Sequence, residues 1–167
     1  MKNKVLIAAA AIIGLASVAY ASFTQLLTIN GTGTATGSWD VKITGITRTS
    51  ATGVTDASAP TFTNTSATFS SNLQYPGATA TYRVVVTNNG TIPAILSTIN
   101  GLSAANSAVP TYITYAINGV TANTTTLAAN GGTNNIDVTV TWDSASAPLT
   151  SGATKTATLD FTYNQNT

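Results

Sequence analysis

Hydrophobic and polar residues alternate with a period of two through most of the chain after residue 38, which is the pattern of β-strands with one buried face. The clearest strand is predicted over residues 79–87, where Tyr82, Val84 and Val86 share a side. Further strand patterns cover residues 39–43, 62–69, 93–99, 112–118, 136–142 and 154–163. We therefore expect seven to nine short strands and no helical period longer than that of the apolar N-terminus.

Turn signals separate these strands. Pro76-Gly77 combines a preset φ with a residue that accepts positive φ, and Asn89-Gly90 is the strongest short-range signal of a hairpin turn. We interpret Gly131-Gly132 as a turn and residues 48–59 as a polar loop. Short strands at this spacing predict a single antiparallel β-sandwich, either immunoglobulin-like or a jelly roll, over residues 38–167.

The N-terminus has the three parts of a secretion signal. Lysines at positions 2 and 4 supply the positive charge, residues 5–18 are apolar, and Ala19-Tyr20-Ala21 is an A-x-A cleavage site. Residues 1–21 are therefore predicted to be a signal peptide, cut between Ala21 and Ser22. The alternative is a type IV pilin that retains its apolar helix, but such precursors are cut before the apolar run.

The segment that follows this site is unusual in having two contrasting halves. Residues 22–29 form a β-prone stretch in which one face would carry Phe23, Gln25, Leu27 and Ile29. Residues 30–37 are small, with Gly31, Gly33 and Gly37 as predicted hinges, and eight extended residues reach at most about 26–29 Å. An apolar strand on a flexible tether favours donation of the strand to a neighbouring subunit. The alternative is that it folds back as the first strand of its own domain.

Charge is almost absent from this chain. Charged residues make up 7% of the sequence, and after signal removal four Lys and Arg stand against five Asp, for a net charge of −1. A nucleic-acid or anionic-membrane surface needs clustered Lys and Arg, so neither partner is expected. Thr, Asn and Ser supply the polarity instead, and with 43% apolar residues the chain is not predicted to be disordered.

Catalytic chemistry is poorly supported. The chain has no His, Cys or Glu, so it offers no imidazole base, no thiolate and no ordinary zinc site. Asp137 and Asp143 are the nearest approach to a carboxylate pair or a calcium site, yet such residues at strand edges are more often simply solvated. We predict no enzymatic activity, no catalytic or metal-binding residues, no cofactor and no small-molecule substrate.

Four N-x-S/T sequences offer acceptors for N-glycosylation. They begin at Asn30, Asn64, Asn89 and Asn123. In a chain so rich in Asn and Thr several arise by chance, and they matter only in a host that glycosylates. Asn89 in a tight turn and Asn123 in a Thr-rich loop are the better candidates.

Three groups of residues form a recognisable set. They are Ser38-Trp39-Asp40-Val41, then Leu73, Tyr75-Pro76-Gly77, Tyr82, Val84, Val86, Asn88, Gly90 and Ala94, and the closing residues 159–163. Together they resemble the TasA/camelysin family. That family includes bacterial biofilm-matrix fibre subunits and, by similarity, archaeal bundling pilins, to which this compact chain is closer. The resemblance implies a secreted jelly-roll subunit that polymerises by donor-strand exchange.

Two classes of function therefore remain open. The first is a structural subunit of an extracellular filament for adhesion, bundling or biofilm matrix, with other copies of itself as partners. The second is a monomeric secreted or surface-layer immunoglobulin-like adhesin, which we would expect to carry further domains or an anchor. We favour the filament subunit, located outside the cell and touching other filaments or cells.

Overall fold

The computed structural model describes residues 28–146 and 155–166. Residues 28–35 belong to one unit and the described residues from Thr36 onward form a second, compact one. In the first unit residues 28–35 have no regular secondary structure and are exposed throughout. No helix in the described ranges is long and apolar enough to cross a membrane.

The compact unit is built almost entirely from strands. They are β1 (Val41–Thr52), β2 (Val54–Phe62), β3 (Ala67–Leu73), β4 (Thr79–Asn88), β5 (Ala94–Asn100), β6 (Ile113–Asn118), β7 (Thr126–Leu127), β8 (Gly132–Trp142) and β9 (Asp160–Gln165). One short helix, α1 (Leu102–Ser107), lies between β5 and β6. The predicted all-β fold with antiparallel sheets is thereby confirmed.

A four-stranded antiparallel sheet in the order β1-β4-β8-β6 carries most of the core. Alternate residues of β4 and β8 are buried, and their inward side chains pair across the strands, as in Tyr82 with Val138 and Val84 with Ile136. β-branched residues suit this position because they fill the pleated face of a sheet. The sheet therefore presents one continuous apolar face.

Two smaller sheets pack their apolar residues against that face. One pairs β2 with β3, and the other has the order β7-β5-β9. Ala94 and Leu127 of the three-stranded sheet belong to the same buried core as the four-stranded sheet. Phe69 of β3 and Phe161 of β9 pack against that core but are only partly buried. The arrangement is sandwich-like, with a second layer divided into two pieces.

The polar loop predicted over residues 48–59 is wrong, because β1 continues to Thr52 and β2 begins at Val54. Both strands lie at the edge of a sheet, where Ser, Thr and Ala face solvent on both sides and no hydrophobic alternation marks the strand. A single residue, Gly53 with φ of 61°, makes the turn between them.

The hairpin predicted at Asn89-Gly90 is also wrong. β4 pairs with β1 and β8, whereas β5, the next strand, lies in another sheet. Gly90 is needed for a different reason, since a Cβ at this position would collide with the carbonyl oxygen of Ser38. The turns predicted at Pro76-Gly77 and Gly131-Gly132 are confirmed, with Gly77 and Gly131 at φ of 91° and 97°.

The last strand is shorter than predicted. The alternation suggested a strand over residues 154–163, but ladder pairing with β5 spans only Asp160 to Gln165. Residues 155–159 alternate between half-buried and exposed, as a strand would, without a ladder partner among the described residues. Residue 154 itself lies outside the described ranges.

Candidate functional site: an open groove between two sheet edges

A groove of about 1330 Å³ opens between the two pieces of the second layer. Its floor is the inner face of the four-stranded sheet, including Val84 and Val86 of β4 and Ile136, Val138 and Val140 of β8. The groove exceeds the roughly 300–1,000 Å³ that is typical of small-molecule pockets. An apolar floor of this length suits an extended chain better than a compact ligand.

The two walls of the groove are strand edges. One wall is formed by consecutive residues 67–74, which include β3, and the other by residues 155–163, which lead into and include part of β9. Within the described ranges β3 pairs only with β2, and β9 pairs only with β5. Each wall therefore presents a row of backbone N–H and C=O groups toward the groove, which is a template for pairing with another strand.

Inward side chains on the walls are less buried than those on the floor. Phe69 and Leu73 on β3 are half-buried, as are Leu159 and Phe161 on the opposite wall. Their partial exposure leaves apolar side-chain area open toward the groove.

A polar network holds β3 to the four-stranded sheet. The buried Tyr82 hydroxyl donates to Asp56 Oδ1 at 2.5 Å and lies 2.8 Å from Ser71 Oγ, while Arg48 Nη1 pairs with the same Asp56 oxygen at 2.9 Å. The rings of Phe69 and Tyr82 stack with centroids 4.2 Å apart. Burial of the phenol and its bond to the Asp56 carboxylate both raise the pKa of Tyr82. The β3 wall is thus fixed without any contribution from β9.

We expect Tyr82→Phe to lower the free energy of unfolding by about 1.5–3 kcal/mol, because it removes a buried hydrogen bond to a charged group. The measurement is the denaturant midpoint of the non-assembled subunit. Tyr75→Phe is the matched control, since Tyr75 is 47% exposed, and it should change stability by less than about 0.5 kcal/mol. Equal midpoints for the two variants would contradict the role given to the network.

The opposite wall is held by a different set of contacts. Lys155 Nζ donates to the carbonyl oxygens of Asn106, Pro110 and Ile113 at 3.3, 3.0 and 2.6 Å. The Tyr115 hydroxyl donates to the Lys155 carbonyl oxygen at 3.0 Å, and burial raises the pKa of Tyr115. Each wall therefore has its own attachment to the four-stranded sheet, so the gap between them does not depend on a bond from one to the other.

The outer edge of the four-stranded sheet is closed by a side chain. Asn106 of α1 accepts a hydrogen bond from the Tyr115 N–H at 2.7 Å and donates to the Tyr115 carbonyl oxygen at 2.9 Å, as a neighbouring strand would. This capping reduces the tendency of β6 to pair with another chain. Within the described ranges, β3 and β9 have no comparable cap on the edges that line the groove.

The predicted donor residues lie mostly outside the described ranges. Phe23, Gln25 and Leu27 are in that part of the chain, as are the cleavage residues Ala21 and Ser22. Ile29 is described and is 87% exposed. Of the predicted hinges, Gly31 and Gly33 have open space around a built Cβ, whereas a Cβ on Gly37 would press against the Ile92 side chain.

All four predicted glycosylation acceptors are exposed. They are Asn30, Asn64, Asn89 and Asn123. Asn123 adopts a left-handed conformation with φ of 57°, and its N–H donates to the Leu96 carbonyl oxygen at 2.7 Å. Glycosylation at these positions stays a prediction.

The acidic residues are not brought together as a site. Arg83 binds both oxygens of Asp137 at 2.8 and 2.7 Å, which holds the pKa of Asp137 below its usual value. Asp143 lies six residues further along the chain, a distance of about 20 Å in an extended strand. Among the described residues no group of three or more His, Cys, Asp or Glu could hold a metal ion.

Comparisons of the chain with protein-family models, with curated proteins and with solved structures found no match. The interpretation of the groove therefore rests on its own geometry. The sequence predicted strands over residues 62–69 and 154–163, which include much of both walls, but not that their edges face each other across a gap. No local signal marks that arrangement, because the two strands are far apart in the chain.

Proposed function

We propose that this protein is a secreted structural subunit of an extracellular filament, and that residues 22–29 of one copy fill the groove of the next. The observation that carries the proposal is the gap between the edges of β3 and β9, lined below by the apolar face of the four-stranded sheet. A strand placed there would pair with both edges, and its alternate side chains would reach the floor.

The length of the donor segment fits the groove. Residues 22–29 extend over about 26 Å, and the β3 wall, residues 67–74, has the same number of residues. Phe23, Gln25, Leu27 and Ile29 would face the floor, while Thr24, Leu26 and Thr28 would face away from it. The period of the donor thus matches the period of the floor residues on β4 and β8.

Apolar burial and backbone pairing are the two contributions that favour insertion. Three large apolar side chains at roughly 1.5–3 kcal/mol each give of order 5–9 kcal/mol before costs. Each backbone hydrogen bond to one of the two edges adds about 1 kcal/mol. The conformational entropy lost when the free segment becomes ordered opposes this by about 1–2 kcal/mol per residue. Because the walls are already held in place, the groove itself requires little ordering when a strand enters.

A second copy is the occupant we favour over the chain's own segment. The tether, residues 30–37, reaches at most about 26–29 Å, which is enough to carry the segment into a neighbouring subunit. The donor and the groove are different surfaces, so each copy that gives a strand still has an empty groove. Such heterologous contacts propagate as an open filament.

The remaining features agree with this role. The apolar N-terminus and the A-x-A site direct the chain out of the cell, and the nearly uncharged Thr-, Asn- and Ser-rich surface lacks the repulsion that would keep filaments apart. The resemblance to TasA-like fibre subunits leads to the same class. We therefore propose bundling, adhesion or matrix formation as the use of the filament.

Truncation tests the proposal. We expect the mature chain, residues 22–167, to form filaments that are visible by negative-stain electron microscopy, and a chain beginning at Ser38 to form none under the same conditions. Circular dichroism establishes whether the truncated chain is folded. Filaments of normal length from the truncated chain would rule out strand donation by residues 22–29.

A further inference from the structure

The two walls of the groove run in opposite directions. The start of β3 lies beside the β1–β4 pair, because the Ile43 N–H donates to the carbonyl oxygen of Asn64, just before β3, at 2.8 Å. β3 ends at Leu73, close to the loop in which the Gly77 N–H donates to the Trp142 carbonyl oxygen. The other wall begins near Trp142, where Lys155 binds the Ile113 carbonyl oxygen and Ile113 pairs with Trp142. Any strand between the walls is therefore parallel to one and antiparallel to the other.

The second wall finishes where β3 begins. The side chains of Tyr163 and Asn134 lie 3.2 Å apart, and Asn134 pairs with Val86, which in turn pairs with Ile43. The groove therefore has two distinct ends. One end has Ala67 and Tyr163, and the other has Leu73 and Lys155.

Exposed apolar side chains mark both ends. Among the described residues from Thr36 onward, the large hydrophobic residues that are exposed are Trp39, Phe62, Tyr75 and Val109. Trp39 lines a small cavity with Tyr163, and Phe62 pairs with Ala67, so both lie at the first end, which we name the Trp39 end. Tyr75 follows β3, and Val109 precedes Pro110, whose carbonyl oxygen accepts a hydrogen bond from Lys155. Both residues therefore lie at the end with Leu73 and Lys155, which we name the Tyr75 end.

We propose that subunits stack with the Trp39 end of one copy against the Tyr75 end of the next, and that the donated strand runs antiparallel to β9 and parallel to β3. This inference rests on the proposed function. The stacking covers the exposed apolar residues at both ends, while the sides of the subunit stay polar. A second copy of this chain is the partner because it carries the complementary end.

The position of Ser38 fixes the direction of the donated strand. The body of each subunit starts at its own Trp39 end, where Ser38 and Thr91 exchange backbone and hydroxyl hydrogen bonds of 2.9–3.2 Å. The tether, residues 30–37, leaves from there and meets the Tyr75 end of the stacked neighbour. Ile29 then enters first along the path from the tether, and Phe23 reaches the neighbour's Trp39 end.

The opposite direction is disfavoured by length and by symmetry. In the same stack it would require the tether to pass along the whole groove, about 26 Å, before entering, which leaves almost nothing of its maximum of about 26–29 Å. Contact between two Trp39 ends would shorten that path. It would also relate the copies by a two-fold axis, which closes a dimer instead of extending a filament.

Cysteine cross-linking between different subunits tests the direction, and the natural chain contains no Cys. Donor variants Thr24→Cys and Thr28→Cys are each co-assembled with one wall variant. The wall variants are Thr156→Cys, Thr158→Cys, Thr162→Cys and Asn164→Cys, all at exposed positions. Mild oxidation and a non-reducing gel then report mixed dimers. A disulfide requires Cα atoms within about 7 Å, whereas Thr24 and Thr28 lie about 13 Å apart in an extended strand, so the two donor positions link to different parts of the wall.

In the antiparallel arrangement, a lower donor number pairs with a higher wall number. We therefore expect Thr24→Cys to link to a wall residue nearer the C-terminus than the residue that links to Thr28→Cys. This order holds for any register of the strand. If the partner number rises with the donor number, or if both orders occur equally, the inferred direction is wrong although strand donation stands. Filaments in which no donor position links to any wall position would overturn both the direction and the proposed function.

Discussion

Filament assembly is expected to be lost when Leu27 of the mature chain is replaced by Asp. The substitution removes about 1.5–3 kcal/mol of apolar burial and adds the cost of several kcal/mol for placing an unpaired carboxylate in the groove. A combined loss of at least about 4 kcal/mol weakens subunit addition by about 10³-fold or more. The critical concentration for assembly, measured by sedimentation and electron microscopy, should rise by that factor.

Thr28→Asp is the matched control, since it adds the same charge one residue away on the opposite face of the donated strand. We expect its critical concentration to stay within about threefold of that of the unmodified chain, as for an exposed substitution. Assembly of the Leu27→Asp chain at the normal concentration would contradict the proposed contact. Equal inhibition by both variants would show that charge, and not the facing of the side chain, controls assembly.

The Leu27→Asp chain also provides a non-assembled subunit. Its groove is unchanged and is expected to be free to bind an added peptide. Adding a peptide of residues 22–30 should raise its thermal midpoint, because a ligand that binds only the folded state stabilises it by mass action. At 100 times the dissociation constant the gain is about 2.7 kcal/mol, or roughly 10 °C for a domain of this size.

Two control peptides make this second measurement specific. A peptide that carries Leu27→Asp should produce no shift, and one that carries Thr28→Asp should act as the natural sequence does. The result does not depend on whether filaments grow, so it separates filling of the groove from polymer formation. An unchanged midpoint with the natural peptide at its solubility limit would argue against an acceptor groove.

The two central strands of the four-stranded sheet, β4 and β8, were the most predictable part of the fold. In β4 and β8, Val and Ile alternate with polar residues, because one face is buried against the core and the other is solvated. β1 and β2 gave no such signal over residues 48–59, since strands at sheet edges bury little on either face. The crossing after Asn88 was missed because Asn-Gly favours a turn without specifying which sheet receives the next strand.

The sequence offers a candidate donor segment, which stays a prediction, but it gave no indication of the groove. Alternation within residues 22–29 places Phe23, Leu27 and Ile29 on one face by local geometry alone. The groove depends instead on the distance between β3 and β9 in the folded chain. These two strands are about 90 residues apart in the sequence. Long-range features such as the bond from Tyr82 to Asp56 and the Lys155 contacts set that spacing, and no local pattern encodes them.

Electron cryo-microscopy of the assembled filament examines the central claim most directly. We expect a continuous strand of density between β3 and β9 of each subunit, with side chains of Phe23, Leu27 and Ile29 facing the floor and a connection to the body of an adjacent subunit. A groove that is empty in the filament, or one that is occupied by residues 22–29 of the same subunit, would contradict the account.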